Sequence, residues 1–338
     1  MEQVLYHPEH GYYSSGRCAI GRNGDYFTNV SVGPLFGQLM VVQFAEIWKR
    51  LGEIDNFVIV EQGAHDGQFA LDVLQASQEH APEFFEALDY RIIESFPILR
   101  ERQWQMLQPF RNKIDWRNSL EPFTGIHFSN ELLDAMPVRL ISGGVEKLVD
   151  LQADRFVFIE RPLSHTAFNQ AALDWVDSVA ANLQRGYVIT IDYGYSGHQF
   201  KGKAQVRARH RHLDSPFEQI GHADITMQVY WTSIIRRAEE NGLRVAGFTD
   251  QHHFLTGIIS AFPDILQACS PKSTALSRRV KAQRKIRRAL QTLLHPEMLG
   301  RAFQVLALSK NVDLRMPRLE GFKFAREPGS PGFGKLSY

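Results

Sequence analysis

Residues 57–74, FVIVEQGAHDGQFALDVL, constrain the fold more than any other stretch. An apolar, β-branched run ends in an acid and turns through Gly63 and Gly67. It then passes into apolar residues of helical period. Strand, tight turn and helix in that order open a βαβ unit. The pattern repeats along the chain. Strand-like runs stand at 57–61, 90–94, 114–116 and 126–130, with helical stretches or loops at 68–78, 97–108 and 132–135 between them. Such alternation predicts an α/β fold, a mostly parallel sheet with helices on both faces.

Other segments fit around this frame. Residues 1–33 are rich in Gly, Tyr, His and Asn and read as loop; Pro34 then suits the first turn of a helix whose apolar residues run from Leu35 to Leu51. After the fourth strand the alternation breaks. Residues 138–165 read as an inserted β-meander around Gly143 and Gly144. A helix over 166–183 leads to an apolar strand at 187–195. A further helix is closed by Gly242, and strands follow at 243–250 and 302–310. Residues 256–300 read as a helical cap, and the Pro/Gly-rich tail 326–338 as mobile. The expected organisation is a segment 1–52 covering a ligand site, a domain 53–325 with insertions at 138–165 and 256–300, and the tail.

The turn at residues 63–67 decides what ligand the sheet can hold. A strand-to-helix turn presents backbone N–H groups, which suit a phosphate or a carboxylate. A dinucleotide fingerprint needs Gly-x-Gly-x-x-Gly. Here His65 stands where a second glycine would admit a pyrophosphate, Asp66 adds negative charge, and no Gly-Lys-Ser/Thr follows. Glu61 at the end of the first strand attracts a cation or an amine. Glu94 at the end of the second can accept both hydroxyls of a ribose. Together they suit a ligand with a ribose, an α-amino acid and no phosphate. S-adenosylmethionine has those parts.

Composition removes other classes. Net charge is +1, so the whole molecule has no strong pull toward nucleic acid or anionic membrane. Cys18 and Cys269 are the only cysteines, which excludes a disulfide framework or a zinc site and fits a reducing compartment. No run of eighteen apolar residues and no apolar or Arg-rich leader stands out, so the expectation is a cytoplasmic protein without a membrane span. The Asn/Asp-Pro-Pro-Tyr/Phe motif of enzymes that methylate base amines is missing.

Several blocks carry a resemblance that extends over nearly the whole chain. They are LYHPEHGYYS (5–14), GRNGDYFTNVSVGPLFGQLM (21–40), the glycine turn, RIIESFPILRERQ (91–103), FSNELLDAMPVR (128–139), IDYGY (191–195), GHADITMQVYWTSI (221–234) and HPEMLGRAFQVLAL (295–308). On these the chain resembles the MidA-like family of class I methyltransferases, which includes the mitochondrial complex I assembly-factor methyltransferase. Asn-Glu-x-x-Asp-Ala-x-Pro is the most specific block. Relatives mostly carry Glu-x-Gly-x-Gly-x-Gly, so His65 replaces the middle glycine. The resemblance implies a class I, Rossmann-like methyltransferase fold and S-adenosylmethionine as cofactor. It further implies a protein substrate methylated on arginine.

The resemblance also directs attention to particular residues. Asn130, Glu131 and Asp134 follow the fourth strand, where this class handles its acceptor. Two carboxylates on one helical turn can grip a guanidinium and hold its nitrogen in line with a methyl donor. Asn130 as an N-cap, with acids in the first turn, is the alternative. Glu61, Gly63, Ala64, Asp66, Gly67 and Glu94 are the expected cofactor contacts. Gly24 and Asp25 join them from a segment that folds over the cofactor in the family. Asp192 and Tyr193 should point over the carboxyl edge of the sheet toward the substrate. His210 and Arg211, inside RARHRH, match a family pair, which makes them candidates for substrate contact; by charge alone that stretch reads as a solvated basic loop. No metal site is expected. The run 278–288 has seven basic residues and no acid, reading as a solvated helix face or a site for acidic protein or RNA. Trp104 and Trp116 read as core or as neighbours of the adenine. A homodimer stays open. So do an RNA methyltransferase and a respiratory-complex assembly factor with a vestigial cofactor site.

Overall fold

The computed structural model describes residues 1–18, 21, 24, 27–142, 144–163, 168–195, 204–263, 265–268, 276–313 and 315–325. Asp25, Gly143, residues 164–167 and the tail 326–338 lie outside the described residues. The chain begins with a short helix α1 (Glu2–Tyr6) and irregular turns, then α2 (Leu35–Arg50). Four strand units follow: β1 (Phe57–Gln62), α3 (Gln68–His80), α4 (Pro82–Ala87), β2 (Leu88–Ile93), α5 (Pro97–Met106), β3 (Ile114–Arg117) and β4 (Phe123–Asn130). The meander is β5 (Leu140–Ser142), β6 (Val145–Gln152) and β7 (Arg155–Pro162). Next come α6 (Gln170–Asn182), β8 (Leu183–Tyr195), β9 (Ala204–Ala208), β10 (Arg211–His212), β11 (Asp224–Met227) and β12 (Val229–Tyr230). The chain closes with α7 (Trp231–Glu240), β13 (Arg244–Asp250), α8 (Gln251–Ala261), α9 (Ile265–Ala268), α10 (Leu276–Leu294) and β14 (Phe303–Lys310).

Among the described residues the main sheet runs in the order β13-β14-β8-β4-β1-β2-β3, with β12 added beside the end of β8. From β8 through β4, β1 and β2 to β3 every pairing is parallel, and β14 runs antiparallel between β8 and β13. Chain order reverses between β1 and β4. In open α/β sheets ligands bind beyond the carboxyl ends of the strands at such a point.

Alternation along each buried strand splits the core in two. Phe57 and Ile59 of β1 and Phe128 of β4 face α2, α3, α8 and α10. Val60, Val188 and Leu306 face α6 and α7 with Trp175 and Trp231. Phe69 stacks on Phe128 at 4.3 Å, and Phe44 meets Phe128 edge-on at 5.6 Å. Such ring pairs add about 0.5–1.5 kcal/mol beyond burial. They fix α2 and α3 against the strands whose ends carry the site. A third small core holds Leu5, Tyr12 and Cys18 on Val206, Ala208 and Ile225 of the β9–β11 sheet. The N-terminal segment is thereby bound to the rim of the main sheet.

Three local expectations need correction. Residues 131–136 form turns and no helix. Glu131 has φ 55°, and the N–H groups of Leu133 and Asp134 donate to the Asp192 carboxylate at 2.8 and 3.1 Å. That carboxylate takes the donors a helical turn would use, and Pro137 ends the segment. Asn130 is therefore no N-cap; its amide bridges Asn29 and Glu131. The sequence RARHRH is no loop. Val206 and Ala208 are buried, Arg207 is exposed, and the β9–β10 turn places Arg209 and His210 at φ 50° and 60°. Trp104 is 43% exposed and lies against Trp116 at 5.5 Å, so it belongs to no core.

Candidate active site

Beyond the carboxyl ends of β1, β2 and β4 lies a cavity of 410 Å³. Its floor is the turn after β1. Gly63 holds φ 82° there, and His65 holds φ 48°, a left-handed conformation a glycine takes without cost. Of the expected cofactor residues, Glu61, Gly63, Ala64, Asp66 and Glu94 line the cavity together, and His65 joins them. Gly67 does not. It caps α3 at φ 88°, and a Cβ there would meet Leu107 at 3.1 Å, so its work is packing against the chain after α5. Gly24 is not part of the wall either; Thr28, Val30 and Ser31 close that side.

The two acids differ in their surroundings. Glu61 is buried, and its Oε2 accepts the Tyr90 hydroxyl at 2.6 Å. Burial pushes its carboxyl up to about 8, against the lowering effect of that bond. A cation placed there would restore the charge. Glu94 follows the end of β2. Its Oε1 accepts the Phe96 N–H at 2.9 Å and its Oε2 the Gln103 amide at 3.1 Å. Burial raises it above the usual carboxylate range. Gln103 also donates to the His65 carbonyl and accepts from Trp116 Nε1, so it ties the glycine turn to the second acid. An orientated acceptor at Glu94, an acid for an amine at Glu61, and apolar Phe69, Ile93 and Leu99 between them fit an adenosyl amino acid. Nothing in the turn is arranged for a pyrophosphate.

A second cavity of 390 Å³ adjoins the first, and Tyr13 and Glu131 line both. Three carboxylates line it: Glu131, Asp134 and Asp224. Tyr193, Tyr195, Tyr13 and Phe27 form its aromatic wall, and Arg207 stands exposed at its margin. Asn29 N–H and the Asn130 amide hold Glu131 Oε1 at 3.1 and 2.8 Å. Tyr13 donates to Asp224 at 2.6 Å. Asp134 Oδ1 is buried without a hydrogen-bond partner among the described residues. Burial pushes Glu131 up to about 8, and the charges of Asp192 and Asp224 add to it. Asp134 is driven well above its usual range by burial and by Asp192, Asp224 and Glu131. A cluster of buried carboxyls whose ionisation is opposed by burial and by one another calls for a cationic guest.

The N-terminal segment spans the two cavities. Tyr6 donates to the Ala135 carbonyl at 2.9 Å and stacks between Phe96 at 6.3 Å and Tyr13 at 5.7 Å. Tyr6, Tyr13, Gln103 and Asp224 were not singled out by sequence reasoning. Tyr13 and Asp224 are 211 positions apart, and no local pattern marks such a pair.

The expected substrate residues divide. Tyr193 lines the acidic cavity and donates to Thr226. Asp192 does not reach it. It is 0% exposed, with Oδ2 accepting from Leu133 and Asp134 and Oδ1 from the Tyr193 N–H at 2.8 Å. Its Oδ2 is given to the turn that carries Glu131 and Asp134, so it positions them. His210 and Arg211 are exposed and line neither cavity; the His210 ring lies 5.1 Å from Phe27 at the rim.

Known proteins resemble this chain in fold and in sequence. The crystal structure of a COG1565 superfamily member from Burkholderia thailandensis, bound to S-adenosyl-homocysteine, superposes with a TM-score of 0.83 and 28% identity, covering 96% of this chain and 89% of that one. The mitochondrial protein arginine methyltransferase NDUFAF7 homolog of Drosophila melanogaster is 24% identical over 92% of this chain and 80% of its own length. The Bos taurus protein arginine methyltransferase NDUFAF7 is 24% identical over 100% and 86%. A family model described as S-adenosyl-L-methionine-dependent methyltransferase matches residues 39–249, and the chain belongs to that family.

Proposed function

We propose that this enzyme methylates an arginine side chain of a protein substrate. The observation that carries the reading is the acidic, aromatic-walled cavity that shares Glu131 and Tyr13 with the cofactor cavity. Glu61 would meet the ammonium of S-adenosylmethionine, Glu94 the ribose hydroxyls, and the N–H groups after Gly63 the carboxylate. When bound, that cofactor supplies an electrophilic methyl group on a cationic sulfur.

The chain's own residues do the rest. Glu131 and Asp134 accept N–H bonds from the guanidinium, whose five donors suit an orphaned acceptor such as Asp134 Oδ1. Tyr13 and Tyr193 pack on its flat faces. Asp192 holds the turn, which fixes the nitrogen's approach. The nitrogen that gains a methyl loses a proton, and Asp134 or Glu131 takes it. Burial raises both carboxyls, Glu131 to about 8, and a raised carboxyl whose charge the guanidinium restores suits that role. The mitochondrial relatives named as arginine methyltransferases support the same acceptor.

Mass spectrometry of arginine and lysine peptides incubated with enzyme and cofactor tests this reading. Arginine peptides should gain methyl groups and lysine peptides none. Asp134→Asn should slow transfer by about 10²–10⁴ with unchanged affinity for S-adenosyl-homocysteine. Transfer to lysine or to RNA alone would refute the assignment.

A further inference from the structure

A third hollow, of 470 Å³, runs along α10 and meets the active site. Its basic wall is Lys281, Arg284, Lys285 and Arg288, positions that share one face of the helix. All four are exposed, and none has an ion-pair partner among the described residues. The adjoining face is fixed: Ala289, at the base of the hollow, and Leu293 are buried in the main core, and Gln251 donates to the Leu293 carbonyl at 3.1 Å. The basic face is therefore a rigid platform. It is also a local feature, since the whole chain carries a net charge of only +1.

The segment after residue 26 joins this groove to both cavities. Phe27, 49% exposed, lines the groove and the acidic cavity. Ser31 lines the groove and the cofactor cavity. A chain passing over Phe27 moves from three carboxylates to four exposed cations, of which Lys285 also acts on the Asp72 carboxylate. A polyanion threading both would be repelled at the acidic end. A peptide with one arginine and acidic neighbours matches both ends at once. Charges on this surface are screened beyond about 8 Å at physiological salt, so the partner must lie in the groove.

We infer that the α10 groove docks an acidic segment flanking the target arginine of the protein substrate. This rests on the arginine reading and adds a sequence preference to it. The test uses a fluorescein-labelled peptide with one arginine and a run of glutamates, the same peptide with glutamines, and a uridine oligoribonucleotide. Each is titrated against the wild-type enzyme and the variant Lys281→Glu, Arg284→Glu, Lys285→Glu, Arg288→Glu. Affinity for S-adenosyl-homocysteine, equal in both proteins, verifies that the variant is folded. The glutamate peptide should bind the wild type about tenfold more tightly than the glutamine peptide, and the variant should lose that preference. In methylation the loss should fall on KM and leave kcat in place.

Equal binding of the two peptides by the wild type overturns the docking surface. So does a glutamate preference that survives charge reversal, or tighter binding of the oligoribonucleotide than of the glutamate peptide. Methylation of both peptides with equal kcat/KM by both proteins removes the docking surface and leaves the arginine reading standing. Groove-dependent binding with no methyl transfer to arginine does the opposite.

Discussion

Glu94 enters the cofactor cavity with both carboxylate oxygens already oriented, by the Phe96 N–H and the Gln103 amide. Glu94→Ala removes the ribose acceptor and leaves those donors without it. Calorimetry should show affinity for S-adenosyl-homocysteine weakened by about 1.5–3 kcal/mol, the range for a hydrogen bond to a charged group; unchanged affinity would remove the ribose contact. Glu61 gives a pH signature. Its carboxyl is pushed up to about 8, so it gains charge as pH rises toward that value. A ligand ammonium favours the charged form, so affinity should climb with pH up to about 8. A flat profile would place the ammonium elsewhere. Both acids were legible in the sequence because each ends a strand beside the site. Gln103 was not, because its three partners come from the residue after β2, the glycine turn and β3. His65 looked like a break in the glycine turn, yet its backbone takes the same left-handed form.

The turn at 131–136 shows how one buried group shapes an element. Asp192 holds it through the N–H groups of Leu133 and Asp134. Asp192→Asn keeps the volume but turns part of the acceptor into a donor. Thermal unfolding should report a loss of about 1–3 kcal/mol, and kcat should fall while S-adenosyl-homocysteine affinity stays. Unchanged kcat would deny the turn its positioning role. Near-continuous apolar runs marked β1, β4 and β8, which are buried on both faces over most of their length, and alternation marked β2, whose second face is partly exposed. The β9–β11 sheet escaped notice because its strands are short and its outward positions carry charge. The meander β5–β7 pairs only with itself among the described strands. Replacing residues 141–161 by a short glycine-serine linker should therefore leave cofactor affinity unchanged, measured by calorimetry; loss of binding would make the meander part of the site.

At the scale of the whole molecule, the site is a concentration of buried acid. Burial holds Glu61 and Glu131 up to about 8 and Asp192 up to about 7, and raises Glu94 and Asp134 as well. The folded state thus keeps protons that the unfolded chain releases near the ordinary carboxylate value. Stability from these groups is full below that value and is lost as pH rises through about 8. The ligand-free enzyme should melt at a lower temperature at pH 8 than at pH 6, as scanning calorimetry would record. A rising melting temperature over that window would contradict the burial described. The sheet and its edge follow from the order of elements along the chain. The acidic cavity does not, because the turn after β4, the end of β8, β9, β11 and the N-terminal segment all contribute to it. A crystal of this protein grown with S-adenosyl-homocysteine is the most direct measurement. The ribose should lie on Glu94, the amino group near Glu61, and the sulfur toward Glu131 at the junction of the two cavities. A ligand bound elsewhere, or a sulfur turned away from the acidic cavity, would contradict methyl transfer at this site.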